Sequence, residues 1–182
     1  MSLRIYGNRR LKTLPGDATR PTSARVREAV FNIWQGRLCG CRWLDLCAGS
    51  GSMGAEALCR GATAVVGIEA SQVACAVIRQ NWQHVVGKQQ TFSVLPGDVM
   101  GRLITLAGES FDLIYFDPPY DSKLYEPIIQ AIADYRILAI HGELAVEHRA
   151  NCLNTKPPML EICRQKQYGY SGLTFYRGLS NA

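Results

Sequence analysis

No apolar run in this 182-residue sequence approaches the roughly 18 residues needed to cross a bilayer. The N-terminus also lacks the basic, apolar, small-residue order of a secretory signal. A membrane protein and a secreted one are therefore not expected, and the expected location is the cytoplasm. The seven cysteines, Cys39, Cys41, Cys47, Cys59, Cys75, Cys152 and Cys163, include no C-x-x-C pair, and the three histidines are scattered. Cys39 and Cys41 form a C-x-C with no partner pair, so neither a structural zinc site nor a disulfide framework is expected, and no metal is. Several cysteines sit in apolar runs and read as small core residues of a reducing compartment. Internal repeats and low-complexity tracts are absent.

Length and a 47% hydrophobic content suit one α/β domain with a sizeable core and leave little room for a second. The net charge of +5 is unevenly spread. Residues 1–42 hold nine Lys/Arg against two Asp/Glu, residues 43–148 six against twelve, and residues 149–182 five against one. An acidic middle between basic ends suggests a cationic ligand or proton chemistry at the centre and a polyanion at the edges.

Strand and helix signals alternate along the chain. Residues 1–42 read as a basic extension, with a short strand or hairpin around Leu3–Tyr6 and then a helix capped by Thr22 or Ser23 and running to about Gln35. Val26, Val30, Ile33 and Trp34 fall on one apolar stripe of it. Strands are expected at Trp43–Cys47, Ala64–Glu69, Thr91–Leu95, Phe111–Asp117 and Glu143–Glu147. Between them lie helices at Gly54–Arg60, from Ser71 to near Gly87, after Asp98, and over Leu124–Leu138. A closing hairpin is expected from Glu161–Tyr168 and Leu173–Arg177. The pattern predicts a Rossmann-like α/β fold with a seven-stranded, mostly parallel sheet, one antiparallel strand, and helices on both faces. Residues 1–182 then form one domain, the extension 1–42 preceding a ligand-binding core 43–182. Ligands of such sheets bind outside the carboxyl ends of the strands.

The chemistry-bearing residues fall at those ends. After the first core strand, Gly49, Gly51 and Gly54 spell G-x-G-x-x-G, with Glu69 ending the next strand. Read alone, this fits a dinucleotide fingerprint, and each glycine could be a bare turn residue. Asp45 separates the readings, because a carboxylate there repels a pyrophosphate but suits the sulfonium and α-ammonium of S-adenosylmethionine. Glu69 can accept from two ribose hydroxyls, and Asp98, after Gly97, suits an adenine amino group. The candidate cofactor contacts are Asp45, Ala48, Gly49, Ser50, Gly51, Glu69, Ala70, Gly97, Asp98 and Asp117, with S-adenosylmethionine as cofactor and S-adenosylhomocysteine as its product.

The fourth strand ends in Asp117-Pro118-Pro119-Tyr120. An amino group on a base is a poor nucleophile, because its lone pair is delocalised into the ring. The Asp117 carboxylate and Pro118 carbonyl can each accept one N–H and hold the nitrogen pyramidal. Pro118 and Pro119 stiffen the loop, and Tyr120 offers a stacking face. These four are the candidate catalytic residues. A strand followed by a proline turn is the plain alternative; its position after a series of acids favours amino-methyl transfer.

The chain resembles the bacterial 16S rRNA guanine-N2 methyltransferases that modify guanine 966 of the small subunit. The resemblance is carried by Leu3-Arg-Ile-Tyr-Gly7, the run Arg20-Pro-Thr-Ser-Ala-Arg25-Val-Arg27-Glu28-Ala-Val-Phe-Asn32, the loop beginning at Asp45, Asp117-Pro-Pro-Tyr120, and the tail from Tyr168 to Tyr176. It implies the class I methyltransferase fold, S-adenosylmethionine as donor, and guanine N2 of 16S rRNA as acceptor in an assembled or partly assembled small subunit, with the enzyme a monomer. Asp45, Gly49, Gly51, Glu69 and Asp98 carry over as cofactor contacts, and Asp117 and Tyr120 as catalytic residues. Arg9, Arg10, Lys12, Arg20, Arg25 and Arg27 are candidate RNA contacts. The sequence departs from the family at the opening, where Asn8 interrupts a G-G-x-x-R-G-R pattern. It departs also at Cys47, where Phe is frequent, and at Gly172, where a polar or basic residue is.

Three other functions fit parts of the pattern. A DNA adenine-N6 or cytosine-N4 methyltransferase uses the same D-P-P-Y logic but normally carries a target-recognition domain. A nucleotide-binding oxidoreductase lacks a hydride-transfer motif here. A non-catalytic RNA-binding protein would not need an intact D-P-P-Y.

Overall fold

The computed structural model describes residues 2–14, 24–150, 153, 155 and 157–179. A hairpin opens the chain, β1 (Ser2–Ile5) pairing antiparallel with β2 (Arg9–Lys12). Helix α1 (Ala24–Ile33) follows, and its expected caps Thr22 and Ser23 lie outside the described residues. Then come β3 (Arg42–Leu46), α2 (Ser52–Cys59), β4 (Ala64–Glu69), α3 (Gln72–Val85), β5 (Thr91–Pro96), α4 (Val99–Leu103), β6 (Phe111–Phe116), α5 (Tyr125–Asp134), β7 (Leu138–Arg149), β8 (Leu160–Tyr168) and β9 (Ser171–Gly178).

The main sheet has seven strands in the order β5-β4-β3-β6-β7-β9-β8. β5, β4, β3, β6 and β7 are parallel, and β9 runs antiparallel to both neighbours, as the alternation of βα units ending in a hairpin predicts. The central strands are buried on both faces, which is why β3 and β6 read as nearly unbroken apolar runs. On one face α1, α2 and α3 cover Trp43, Val65, Leu113, Tyr115 and Phe175. On the other, α4 and α5 cover Leu44, Leu46, Ile68, Ile114 and Phe116.

The elements differ from the sequence reading at three places. The buried face of α1 holds Val26, Arg27, Val30 and Phe31, so it is wider than the apolar stripe, while Ile33 is only half-buried. α2 starts two residues before Gly54, because the turn at Gly51 already sets the helix. α5 stops at Asp134 and not near Leu138. Arg136 takes a left-handed conformation (φ 53), and the N–H groups of Arg136 and Ile137 donate back to the carbonyls of Ala133 and Ile132. This is a Schellman closure built without glycine. It releases Leu138 into β7, which spans 12 residues where five were expected.

Candidate active site

β3 and β6 are neighbours, and their carboxyl ends bring the glycine turn and the D-P-P-Y segment side by side. The Asp117 N–H donates to the Leu46 carbonyl at 3.4 Å, so Asp117 stands beside the residues that follow β3. Those residues turn sharply. Cys47, Gly49 and Gly51 all have positive φ (61°, 57° and 74°), and the Gly51 N–H closes the turn on the Ala48 carbonyl at 2.7 Å.

The three fingerprint glycines do different work. A Cβ on Gly49 would meet nothing within 4 Å, so this position faces open space into which a ligand can come close to the backbone. A Cβ on Gly51 would lie 2.8 Å from Trp82 Nε1, and one on Gly54 2.3 Å from Trp82 Cζ2. These two glycines, with Gly67 of β4, make room for the Trp82 indole of α3, whose Nε1–H donates to the Gly51 carbonyl at 2.7 Å. The adjacent Asn81 donates from Nδ2 to the Ser50 carbonyl at 2.9 Å. Gly51 and Gly54 have no room for a side chain because Trp82 pins the loop from beneath. Nothing near the loop in the sequence signals Trp82 or Asn81.

The acids hold different stations. Asp45 is 2% exposed, and its Oδ2 accepts the Gly54 N–H at 3.0 Å at the start of α2. Burial pushes its carboxyl up from 3.8 to about 8, against the lowering effect of that hydrogen bond. The Asp45 carboxyl thus lies beneath the glycine turn, buried under the Gly54 N–H it accepts. Glu69 is half-buried and bridges two loops, Oε2 accepting from the Gly49 N–H and Oε1 from the Ser71 N–H, both at 2.8 Å. Ala70 is exposed between them. Asp98 is exposed and caps α4, its Oδ1 accepting the Gly101 N–H at 2.7 Å; Gly97 precedes it at φ 143 and donates to the Glu69 carbonyl. Burial, with the nearby Glu69, Asp117 and Asp45 adding to it, pushes the Cys47 thiol up to about 12. Cys47 is thus a neutral thiol among three acidic side chains and no nucleophile.

In the D-P-P-Y segment Asp117 is half-buried, Pro118 buried, Pro119 exposed and Tyr120 half-buried. The Tyr120 hydroxyl lies 2.8 Å from Ser171 Oγ of β9 and donates to Glu147 Oε1 of β7 at 3.4 Å. Glu147 is 3% exposed and also accepts the Tyr115 hydroxyl at 2.6 Å. The Tyr120 ring is therefore held by its hydroxyl from two neighbouring strands. The sequence reading missed Glu147, Ser171 and Tyr115 as parts of this site. The available signal was a carboxylate closing the apolar run Leu144-Ala-Val-Glu147.

The candidate RNA residues separate. Arg9, Arg10, Lys12 and Arg25 are exposed, while Arg20 lies outside the described residues. Lys12 is tied to α3, its backbone N–H donating to Asn81 Oδ1 at 2.9 Å and its Nζ to Gln80 Oε1 at 2.9 Å. Arg9 donates to the Val85 carbonyl at 3.3 Å. Arg27 is a correction. It is 3% exposed, its Nε donates to Glu56 Oε2 at 2.8 Å, and its Nη2 donates to the Arg4 carbonyl. Glu56 also pairs with Arg60 at 2.8 Å. Arg27 thus joins β1, α1 and α2 from inside, because a buried acid on α2 waits for it.

Among the histidines, His84 and His141 are exposed and His148 is buried. The His148 Nδ1 donates to the Arg149 carbonyl, leaving Nε2 to accept from Thr174 Oγ1 at 2.9 Å. A Cβ on Gly172 would lie 2.5 Å from His148 Cε1. The departure at Gly172 is the space this imidazole occupies. Among the described residues no group of three His, Cys, Asp or Glu is placed to hold a metal ion, and no helix is long and apolar enough to cross a membrane.

A sheet of this order with one reversed strand, and with acids and a glycine turn at its carboxyl edge, is a class I methyltransferase fold. The family described as "Conserved hypothetical protein 95" matches residues 3–177, and the chain belongs to it. A Bacillus subtilis protein named "Putative rRNA methyltransferase YlbH" is 31% identical over 172 residues, 93% of each chain. The ribosomal RNA small subunit methyltransferase D of Escherichia coli K12 is 29% identical over 180 residues, 96% of this chain and 89% of that one. A solved structure described as "Putative methyltransferase yhhF from Escherichia coli" has a TM-score of 0.84 at 27% identity and is covered completely, as is this chain.

Proposed function

We propose that this protein transfers a methyl group from S-adenosylmethionine to the exocyclic N2 of a guanine in 16S ribosomal RNA, within an assembled or partly assembled small subunit. The observation that carries the reading is the adjacency of the two loops, with Asp117 hydrogen-bonded to the end of β3 next to the open Gly49 turn. The donors suit the cofactor. Glu69 has remaining lone pairs for ribose hydroxyls, Asp98 keeps one carboxylate oxygen beyond its cap, and the open face at Gly49 admits the methionine part. The buried Asp45 places potential negative charge beneath a cation and is unsuited to a pyrophosphate. S-adenosylmethionine supplies an electrophilic methyl on a sulfonium.

The chain's own residues do the rest. The Asp117 carboxylate and Pro118 carbonyl accept the two N–H bonds of the guanine amine and hold its nitrogen pyramidal. Tyr120, fixed by Ser171 and Glu147, supports the base, and alignment supplies most of the rate. Asp117 or water takes the proton once the N–C bond forms. The exposed cations Arg9, Arg10, Lys12 and Arg25 contact phosphates and position the RNA. The names of the curated relatives support the substrate class. The test is transfer of labelled methyl to small-subunit particles from cells lacking the gene, followed by nucleoside analysis. N2-methylguanosine is expected; N6-methyladenosine, or methylation of duplex DNA in its place, would overturn the acceptor.

A further inference from the structure

Edge strand β8 is charged on one side only. Arg164, Lys166 and Tyr168 pair with Phe175, Leu173 and Ser171 of β9 and, alternating along the strand, share one face. It is the face that α1 covers, because Leu173 and Phe175 belong to the core beneath α1. Contacts agree: the Arg164 guanidinium lies 5.8 Å from the Phe175 ring centroid, and Arg25 of α1 lies 5.8 Å from that of Tyr168. On the opposite face β8 offers the neutral Gln165 and Gln167. Arg164 and Lys166 are exposed, and among the described residues neither has an ion-pair partner. Further from the site, Arg177 and Glu161 neutralise each other at 2.6 Å.

This row ends at the candidate active site. Tyr168 pairs with Ser171, whose hydroxyl lies 2.8 Å from that of Tyr120. The turn between them presents Tyr170 at 83% exposure, and its backbone is fixed by the Ala150 N–H donating to the Tyr170 carbonyl at 2.9 Å. Charges on an edge strand also deter strand pairing between chains. That role is indifferent to which face bears the charge and needs neither aromatic. Cations interleaved with aromatics on one face, leading to a base-modifying loop, match what a single RNA strand requires: phosphate contacts beside stacking platforms.

We propose that Arg164, Lys166 and Tyr168 of β8, continued by Arg25, form a second RNA-binding row that guides the strand carrying the target base into the site, with Tyr170 stacking on a flanking base. This rests on the reading that the substrate is RNA. The test compares Arg164→Ala/Lys166→Ala, Tyr170→Ala and, as a control, the exposed Lys88→Ala. Naked small-subunit RNA binding is measured against salt, and methyl transfer to particles is measured at saturating cofactor. The double variant should flatten the slope of log affinity against log salt by about 1.5, at roughly 0.7–0.9 for each phosphate no longer neutralised. Its KM for particles should rise severalfold, with kcat, melting temperature and S-adenosylhomocysteine binding unchanged. Tyr170→Ala should weaken RNA binding and leave the slope alone, and Lys88→Ala should change neither. Wild-type slope and KM in the double variant would overturn the row, as would a loss seen on particles but not on naked RNA, which would assign the row to a ribosomal protein. A wild-type protein that methylates no RNA at all would overturn the proposed function, and the row with it.

Discussion

Raising the pH of the cofactor-free protein should destabilise it, and Asp45→Asn should remove most of that loss. In the fold the Asp45 carboxyl sits at about 8 against 3.8 for an ordinary aspartate, chiefly because it is buried. Between those values the folded protein holds a proton that the unfolded chain has lost, so stability falls as pH rises through the window and levels off above about 8. Each pKa unit is worth about 1.4 kcal/mol, so the whole window amounts to on the order of 5 kcal/mol. That is a large part of the stability of a domain this size and corresponds to roughly 10–20 °C in melting temperature. Asparagine keeps an oxygen to accept the Gly54 N–H and cannot ionise, so the variant's advantage over wild type should be small near pH 5, grow with pH, and level off above pH 8. His148 acts in the opposite sense: burial lowers its pKa, and its neutral form costs stability as pH falls. Taking the difference between variant and wild type at each pH cancels that contribution. A bound cation near the loop favours the charged form, so S-adenosylmethionine binding to wild type should release protons below pH 8, and binding to the variant should not. The assays are thermal melts from pH 5 to 9 and calorimetry in two buffers of different ionisation enthalpy. A difference in melting temperature that stays constant with pH would show that Asp45 ionises normally inside the fold, and the burial argument would fail.

Asp117→Ala should abolish methyl transfer and spare cofactor binding. Asp117→Asn should keep measurable activity if accepting one N–H matters more than charge, with single-turnover rates deciding between the two. Tyr120→Phe should lower kcat, because the ring loses its hold on Ser171 and Glu147, and leaving those buried groups short of a partner should cost about 1–3 kcal/mol of stability; an unchanged kcat would mean the ring position is set by packing alone. Arg27→Ala should cost about 3–5 kcal/mol in a denaturant melt, the usual toll of breaking a buried ion pair, with no change in the salt dependence of RNA binding. Replacing Arg9, Arg10 and Lys12 with Ala should flatten that salt dependence and leave cofactor affinity intact, as filter binding at several salt concentrations would show.

The strands and their mostly parallel arrangement were legible because buried parallel strands write themselves as apolar runs, whereas the order in which they lie side by side was not. Asp45, Glu69, Asp98 and Asp117 could be picked out from a strand and the turn after it, with no knowledge of what packs beneath. What holds these residues comes from far along the chain. Trp82 explains Gly51, Gly54 and Gly67 at once, yet it lies on a different helix, 31 residues beyond the carbonyl it bonds. Tyr120 is fixed by partners 27 and 51 residues away. Arg27 reads as a surface cation on a helical wheel, because only the tertiary fold brings Glu56 beneath it. β2 offers one apolar residue in Arg9-Arg10-Leu11-Lys12 and is held by burial of Leu11 and by Asn81, neither of which is a local signal. Gly172 is a departure by pattern and a consequence of His148 in space. Residues that would touch substrate can therefore be carried from one family member to another motif by motif. The side chains that aim them come from distant parts of the chain and have to be found in the fold itself.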